Sequence, residues 1–250
     1  MIAIILTTDA TNVKINSEHS VTKEKTMIKL CIFDLDGTVL DTIHTISHYG
    51  NYALARHGIA PIEAEEYKHL VGTGMVNLIK KMLKFRKCYS EDLFERVLHD
   101  YDEAYNADVS YKTKIFDGLL QVLDEFKAMG LKLAIVSNKP DYPTRLVINK
   151  LYGDGYFEYV TGKRDGVPLK PDPTVVFDVM KRFGVSADEC VYVGDTATDM
   201  HTGKNAGIYT VGVLWGFRGE DELRESGADA IVSTPDELYS AVTARAKEHK

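Results

Sequence analysis

The chain has 250 residues, 44% of them hydrophobic, enough for one large domain or two modest ones. Its 37 acidic and 30 basic residues give a formal net charge of −7, which argues against nucleic acid as a partner. No apolar run approaches the length of a membrane span, and Cys31, Cys88 and Cys190 show neither zinc spacing nor a disulfide framework, so no membrane partner and a cytoplasmic location are expected.

Residues 1–26 open with MIAIILTTDA, whose apolar patch lacks a basic flank and is too short for a secretory core, and continue as a polar, aperiodic stretch. They are expected to be a poorly ordered N-terminal extension, consistent with an early assigned start; a stray strand from IAIIL is the alternative. IKLCIFD (28–34) then reads as a buried strand. From 43 to 112 the pattern is helical, with no convincing strand. Ile43, Ile46, Ala53 and Leu54 form one face, with Asp41 as N-cap. Leu78, Ile79, Met82 and Leu83 form a second, and Leu93, Phe94, Val97, Leu98, Tyr101 and Tyr105 a third.

GLLQVLDEFKAMG is a further amphipathic helix, with Gly130 as C-cap, leading into the strand LKLAIVSN (131–138). YFEYVTG (156–162) is a weaker strand, and PTVVFDVMKRFG is a helix between Pro173 and Gly184. ECVYVGD (189–195), YTVGVL (209–214) and DAIVS (229–233) complete the strands. Strands alternating with helices define an α/β fold, a Rossmann-like parallel sheet flanked by helices. The helical insertion cannot all pack on that sheet. The expected organisation is therefore a catalytic core from 27–42 and 113–250, with a helical cap over 43–112.

Open parallel sheets bind ligands at the carboxyl ends of their strands. Here those ends carry Asp34 and Asp36, then Ser137, Asn138 and Lys139, then Gly194 and Asp195 with Asp199 four residues on. Lys170 lies in the loop LKPDP. Carboxylates converging without a cation would have their pKa values driven up. Mg2+ resolves the conflict, because it is a hard ion that takes carboxylate oxygens and pairs with phosphate. One carboxylate of such a set can act as nucleophile, and a second, two residues along, can protonate the leaving alkoxide and later deprotonate water.

In this order and spacing, DLDGT, the strand ending in Ser137, Lys170 in KPDP, and GDTATD resemble the four motifs of the haloacid-dehalogenase superfamily over about 27–240. The resemblance implies Asp34 as nucleophile and metal ligand, and Asp36 as general acid/base with its main-chain carbonyl on the metal. It makes Asp195 a metal ligand, and Asp199 either a ligand through water or an orienter of Lys170. Ser137 and Asn138 would hold phosphate oxygens, and Lys170 would neutralise phosphoryl charge. Thr38, counted with the phosphate-binding residues, is typical of the phosphatase branches.

The dehalogenases lack a second acid like Asp36. The phosphonate-cleaving branch uses a cap lysine, for which Lys68 and Lys80 are the candidates, although a solvated surface role suits both better. Within the small-cap type, VGTGMVNLIKKML, LKPDPTVVF and VGDTATDMHTGKNAGIYTVGVLWGFR look most like the phosphoglycolate phosphatase group. That likeness would make Gly72, Thr73 and Gly74 the cap loop that meets the substrate; as a bare turn they need no function. His44, His48, His57 and His69 scatter over the cap helices as surface or satisfied side chains. Trp215 reads as a packing residue, and Arg218 as a possible contact for an anionic substrate.

The reading is a Mg2+-dependent phosphomonoester hydrolase working through an aspartyl-phosphate on a small phosphorylated metabolite, with 2-phosphoglycolate foremost. It is expected as a monomer or homodimer. The alternatives are a hydrolase of pyrophosphate or of a sugar or nucleotide phosphate, and a non-catalytic phosphate-binding interaction protein.

Overall fold

The computed structural model describes residues 27–245, so the extension 1–26 and its IAIIL alternative lie outside the described residues. The first strand, β1 (Leu30–Phe33), is buried along its whole length, as a strand covered on both faces must be. After it come the two-residue β2 (Leu40–Asp41) and four helices, α1 (Ile43–Arg56), α2 (Ala64–Leu70), α3 (Met75–Phe85) and α4 (Glu91–Ala107). The chain returns through β3 (Lys114–Ile115), which pairs antiparallel with β2.

The remainder alternates regularly. It runs α5 (Leu119–Ala128), β4 (Lys132–Pro140), α6 (Asp141–Tyr152), β5 (Tyr159–Lys163), α7 (Thr174–Phe183), β6 (Cys190–Gly194) and α8 (Ala197–Asn205). It ends with β7 (Tyr209–Val213), α9 (Glu220–Glu225), β8 (Ala230–Val232) and α10 (Pro235–Arg245). Six strands form one parallel sheet in the order β5-β4-β1-β6-β7-β8. In register, Phe33 stands beside Ile135 on one side and Val193 on the other. The winding reverses at β1, and that is where a crevice opens beyond the strand ends.

The helical periodicities have clear causes. Leu78, Ile79, Met82 and Leu83 are buried on α3, and Phe94, Val97, Tyr101 and Tyr105 on α4. Each such aliphatic or aromatic side chain taken fully out of water contributes about 1.5–3 kcal/mol. Ser90 caps α4 by accepting from the Leu93 N–H at 3.3 Å. Asp41 does not cap α1; Thr42 occupies that position without a side-chain cap bond. Asp41 belongs to β2 instead, with Lys114 across the ladder at 4.0 Å. A two-residue strand is too short for alternation to reveal it, which is why the β2–β3 pair had no sequence signature. Gly130 follows the end of α5 with φ +87°, the left-handed conformation that suits a helix stop.

One apolar cluster runs from Phe33 and Leu35 through Ile43, Ile46 and Leu54 to Met82, Phe94 and Tyr105. The helical insertion and the sheet therefore share a core. Cys31 and Cys190 are fully buried within the sheet.

Candidate active site

Asp34 is the first residue past β1, and its main-chain N–H donates to the Val193 carbonyl at 2.9 Å, continuing the ladder one step. That bond fixes its side chain beside the end of β6, where Asp195 stands. The carboxylate oxygens of Asp34, Asp195 and Asp199 come within 4.8 Å of one another, and all three residues are buried. Lys170 joins them, its Nζ 2.7 Å from Asp34 Oδ1 and 2.8 Å from Asp199 Oδ1.

Asp195 and Asp199 are each held by further partners. Asp195 accepts from Thr38 Oγ1 at 3.2 Å and from the Phe217 N–H at 2.8 Å. Asp199 closes the first turn of α8 in a capping box, its Oδ2 accepting from Thr196 N–H at 3.1 Å and from Thr196 Oγ1 at 2.6 Å. With Oδ1 on Lys170 and Oδ2 on Thr196, Asp199 is disposed to orient the lysine. Gly194 lets α8 approach this closely, because a Cβ there would lie 2.2 Å from that of Asp199. Gly37 turns the chain away after Asp36 at φ +86°, packed against the Asp195 carboxylate.

Asn138 forms a two-way pair with the main chain of Lys170. Its Oδ1 accepts from the Lys170 N–H at 2.9 Å, and its Nδ2 donates to the Lys170 carbonyl at 3.1 Å. The same Nδ2 lies 3.2 Å from the Gly72 carbonyl, tying the 72–74 loop to the sheet. Asn138 thus aims the lysine and anchors the insertion. Thr38 has its hydroxyl on Asp195, while its carbonyl accepts from Trp215 Nε1 at 3.0 Å. Ser137 Oγ accepts from the Lys139 N–H at 3.3 Å, which leaves its own proton available to a ligand.

The electrostatics follow from burial. Asp34 is pushed up to about 7, first by burial and then by the nearby Asp199 and Asp36 charges, against the pull of Lys170. Burial also drives Asp195 well above the carboxylate range, assisted by Asp199 and Asp34. Burial alone would lower Lys170, but Asp199 and Asp34 outweigh it and hold the ammonium charged. With all four carboxylates (Asp34, Asp36, Asp195 and Asp199) ionised, they would outnumber the two ammoniums (Lys139 and Lys170) by two negative charges, the repulsion that favours protons on Asp34 and Asp195. A hard divalent cation fits that balance and that all-oxygen donor set.

The crevice lies between the strand ends and the helical insertion, lined by Asp34, Asp36, Ser137 and Lys139 below and by Met75, Leu78 and Tyr105 above. Gly72 and Gly74 also border it; the Thr73 carbonyl between them accepts from Asn77 Nδ2 at 2.9 Å. Other sequence candidates do not reach the crevice. Lys68 pairs with Glu65, and Lys80 covers the Phe94 ring. His57 pairs with Asp100 at 2.9 Å and His48 stacks on Tyr111, while His44 and His69 are exposed. Arg218 donates to the Lys68 and Val71 carbonyls, so it docks the end of α2 instead of facing a substrate. Lys139 stood among the strand-end residues of the sequence but received no role there, because nothing local shows that its side chain turns inward onto Asp36.

The haloacid dehalogenase-like hydrolase family model matches residues 31–213. The chain is 30% identical over 221 residues to a phosphoglycolate phosphatase of Thiobacillus denitrificans, covering 86% of this chain and 96% of that one. It is 30% identical over 213 residues to a phosphoglycolate phosphatase of Aquifex aeolicus, covering 84% and 95%. Among solved structures, one from Lactobacillus delbrueckii subsp. bulgaricus, assigned as a phosphoglycolate phosphatase, superposes with a TM-score of 0.82 at 30% identity over 86% of this chain and 98% of that one. A beta-phosphoglucomutase from Clostridium difficile shares the fold at 20% identity, with a TM-score of 0.73 over 89% and 99% of the two chains.

Proposed function

Because the chain belongs to the haloacid dehalogenase-like hydrolase family, we propose that its phosphatase activity is that of a Mg2+-dependent phosphomonoesterase using an aspartyl-phosphate, with 2-phosphoglycolate as substrate. The observation that carries this reading is the buried Asp34–Lys170–Asp199 triad with Asp195 beside it. A lysine shared between two buried acids is ready to meet a third anion, and Asp34 is the acid at the crevice.

Asp34 attacks phosphorus, and the ester bond breaks as the Asp34–phosphorus bond forms. Lys170, aimed by Asn138 and Asp199, offsets the phosphoryl charge, and Ser137 Oγ donates to a phosphoryl oxygen. Asp36 passes a proton to the departing alkoxide, then takes one from the water that clears Asp34. Asp34, Asp195 and the Asp36 carbonyl would hold Mg2+, with Asp199 behind Lys170 or acting through water. When bound, the ion would supply positive charge against the phosphate and the clustered acids. The helical insertion serves as a cap that excludes water, with the 72–74 loop facing the substrate.

The test is a panel of phosphorylated metabolites compared by kcat/KM, with Mg2+ and in excess chelator, using the wild type and Asp36→Asn. 2-Phosphoglycolate should rank first, chelator should abolish turnover, and Asp36→Asn should give a burst of aryl alcohol from an aryl phosphate followed by slow turnover. Full activity in chelator, or equal losses for Asp36→Asn on aryl and alkyl esters without a burst, would overturn the mechanism.

A further inference from the structure

Lys139 is the penultimate residue of β4, the strand that also carries Ser137, yet the reaction above does not use it. Its side chain is 6% exposed, and its Nζ lies 3.1 Å and 3.3 Å from the two oxygens of Asp36. A buried lysine is costly unless its charge is used. Both contacts go to one carboxylate, so an ammonium with three donors keeps capacity for another anion. On its other side Nζ sits 4.5 Å from the centre of the Tyr105 ring, which α4 sends down from the helical insertion. Tyr105 is 4% exposed, and its hydroxyl is buried without a hydrogen-bond partner. Both residues line the crevice, whose upper wall also carries the apolar Ile46, Met75 and Leu78 together with Tyr101 and Asp102.

We propose that Lys139 and Tyr105 form a carboxylate subsite that selects small esters whose carboxylate sits on the carbon bearing the phosphate oxygen. This deepens the reading above and rests on Asp36 facing the ester oxygen. In such an ester one carbon separates that oxygen from the carboxyl carbon. A cation touching Asp36 is therefore within reach of the carboxylate whenever the ester oxygen faces Asp36. A chain longer by one methylene would carry its carboxylate past the ammonium toward a wall that offers apolar side chains and the acidic Asp102, neither of which receives an anion. The ammonium supplies a charge-assisted hydrogen bond and the Tyr105 hydroxyl a neutral one, so the site discriminates by charge and by reach. Because Tyr105 comes from the insertion and Lys139 from the sheet, the subsite is complete only where the two lobes meet.

The experiment compares kcat/KM for 2-phosphoglycolate, 3-phosphooxypropanoate and 2-hydroxyethyl phosphate in the wild type, Lys139→Met and Tyr105→Phe. The wild type should prefer 2-phosphoglycolate over both others. Lys139→Met should lower its kcat/KM about 10–100-fold, with a much smaller loss on the neutral ester, so that the preference collapses. Tyr105→Phe, which removes one oxygen from an intact ring and serves should Lys139→Met not fold, should raise KM for 2-phosphoglycolate about 3–10-fold, more than for the neutral ester. Equal losses on all three esters would overturn the subsite while leaving the phosphoglycolate reading intact, and Lys139 would then act only as a counter-ion for Asp36. A wild type without preference for either acid would also overturn it. 2-Phosphooxypropanoate, assayed beside the three, separates the two readings: poor hydrolysis of 2-phosphoglycolate with a Lys139-dependent preference for 2-phosphooxypropanoate would uphold the subsite and overturn the choice of substrate.

Discussion

Asp34 is destabilised as an anion by the folding that positions it. Burial and two neighbouring carboxylates raise its pKa from 3.8 to about 7, and Asp195 moves in the same direction. A carboxyl whose pKa rises on folding binds its proton more tightly in the native state than in the unfolded chain. Through Asp34 the metal-free protein is therefore expected to lose stability as pH climbs from about 4 to about 7, with that penalty absent below the window and complete above it, and Asp195 adds a loss of the same sign. Mg2+ compensates the charge only where the acids are ionised, so it should raise Tm more at pH 8 than at pH 5. Thermal melts in chelator and in Mg2+ at both values check this, and an Mg2+ shift equal at the two pH values would contradict it. The acids themselves were legible in the sequence because each follows an apolar strand. Lys139 was legible as a strand-end residue but its role was not, since inward orientation depends on which helix covers the strand end.

Arg218 shows how one side chain fixes an element. The last carbonyls of α2 lack partners within the helix, and the guanidinium supplies them at Lys68 and Val71 while pairing with Glu222 at 3.2 Å. This joins the loop after β7 to the base of the insertion just before Gly72. Arg218→Met should cost about 1.5–3 kcal/mol, the range for charged hydrogen bonds, and should raise KM more than it lowers kcat by loosening the 72–74 loop. Denaturant titration and steady-state kinetics measure the two parts; an unchanged midpoint would mean that the docking contributes nothing. The sequence offered Arg218 only as a contact for an anion, because cationic side chains serve ligands and helix ends equally well. Periodicity found the faces of α1, α3 and α4, whose apolar residues recur every three or four positions, but the two-residue β2 and β3 have no period to detect.

Across the whole molecule, a continuous apolar cluster links the sheet to the inserted helices, and the 72–74 loop is tied to Asn138. Two lobes with separate cores would melt separately, whereas these two share buried Ile43, Ile46 and Leu54. Urea unfolding is therefore expected to be a single transition. Trp215 fluorescence reports the junction at Thr38, and far-UV circular dichroism reports the helices; the two curves should coincide. A resolved helical transition would show that the insertion is an independent unit.

By itself the sequence determined the parallel α/β architecture, the strands that end in acids, and the resemblance that names Asp34, Asp36, Lys170 and Asp195. These follow from local pattern, since strand burial and motif spacing are written in consecutive residues. Only the tertiary structure decided how those residues are shared out. Asp199 spends one oxygen on a helix cap and the other on Lys170, Asn138 clamps that lysine's main chain, and Thr38 holds Asp195. Lys139 meets Tyr105 across residues more than thirty positions apart. Such pairings depend on the packing of elements distant in sequence, and no local pattern carries that information.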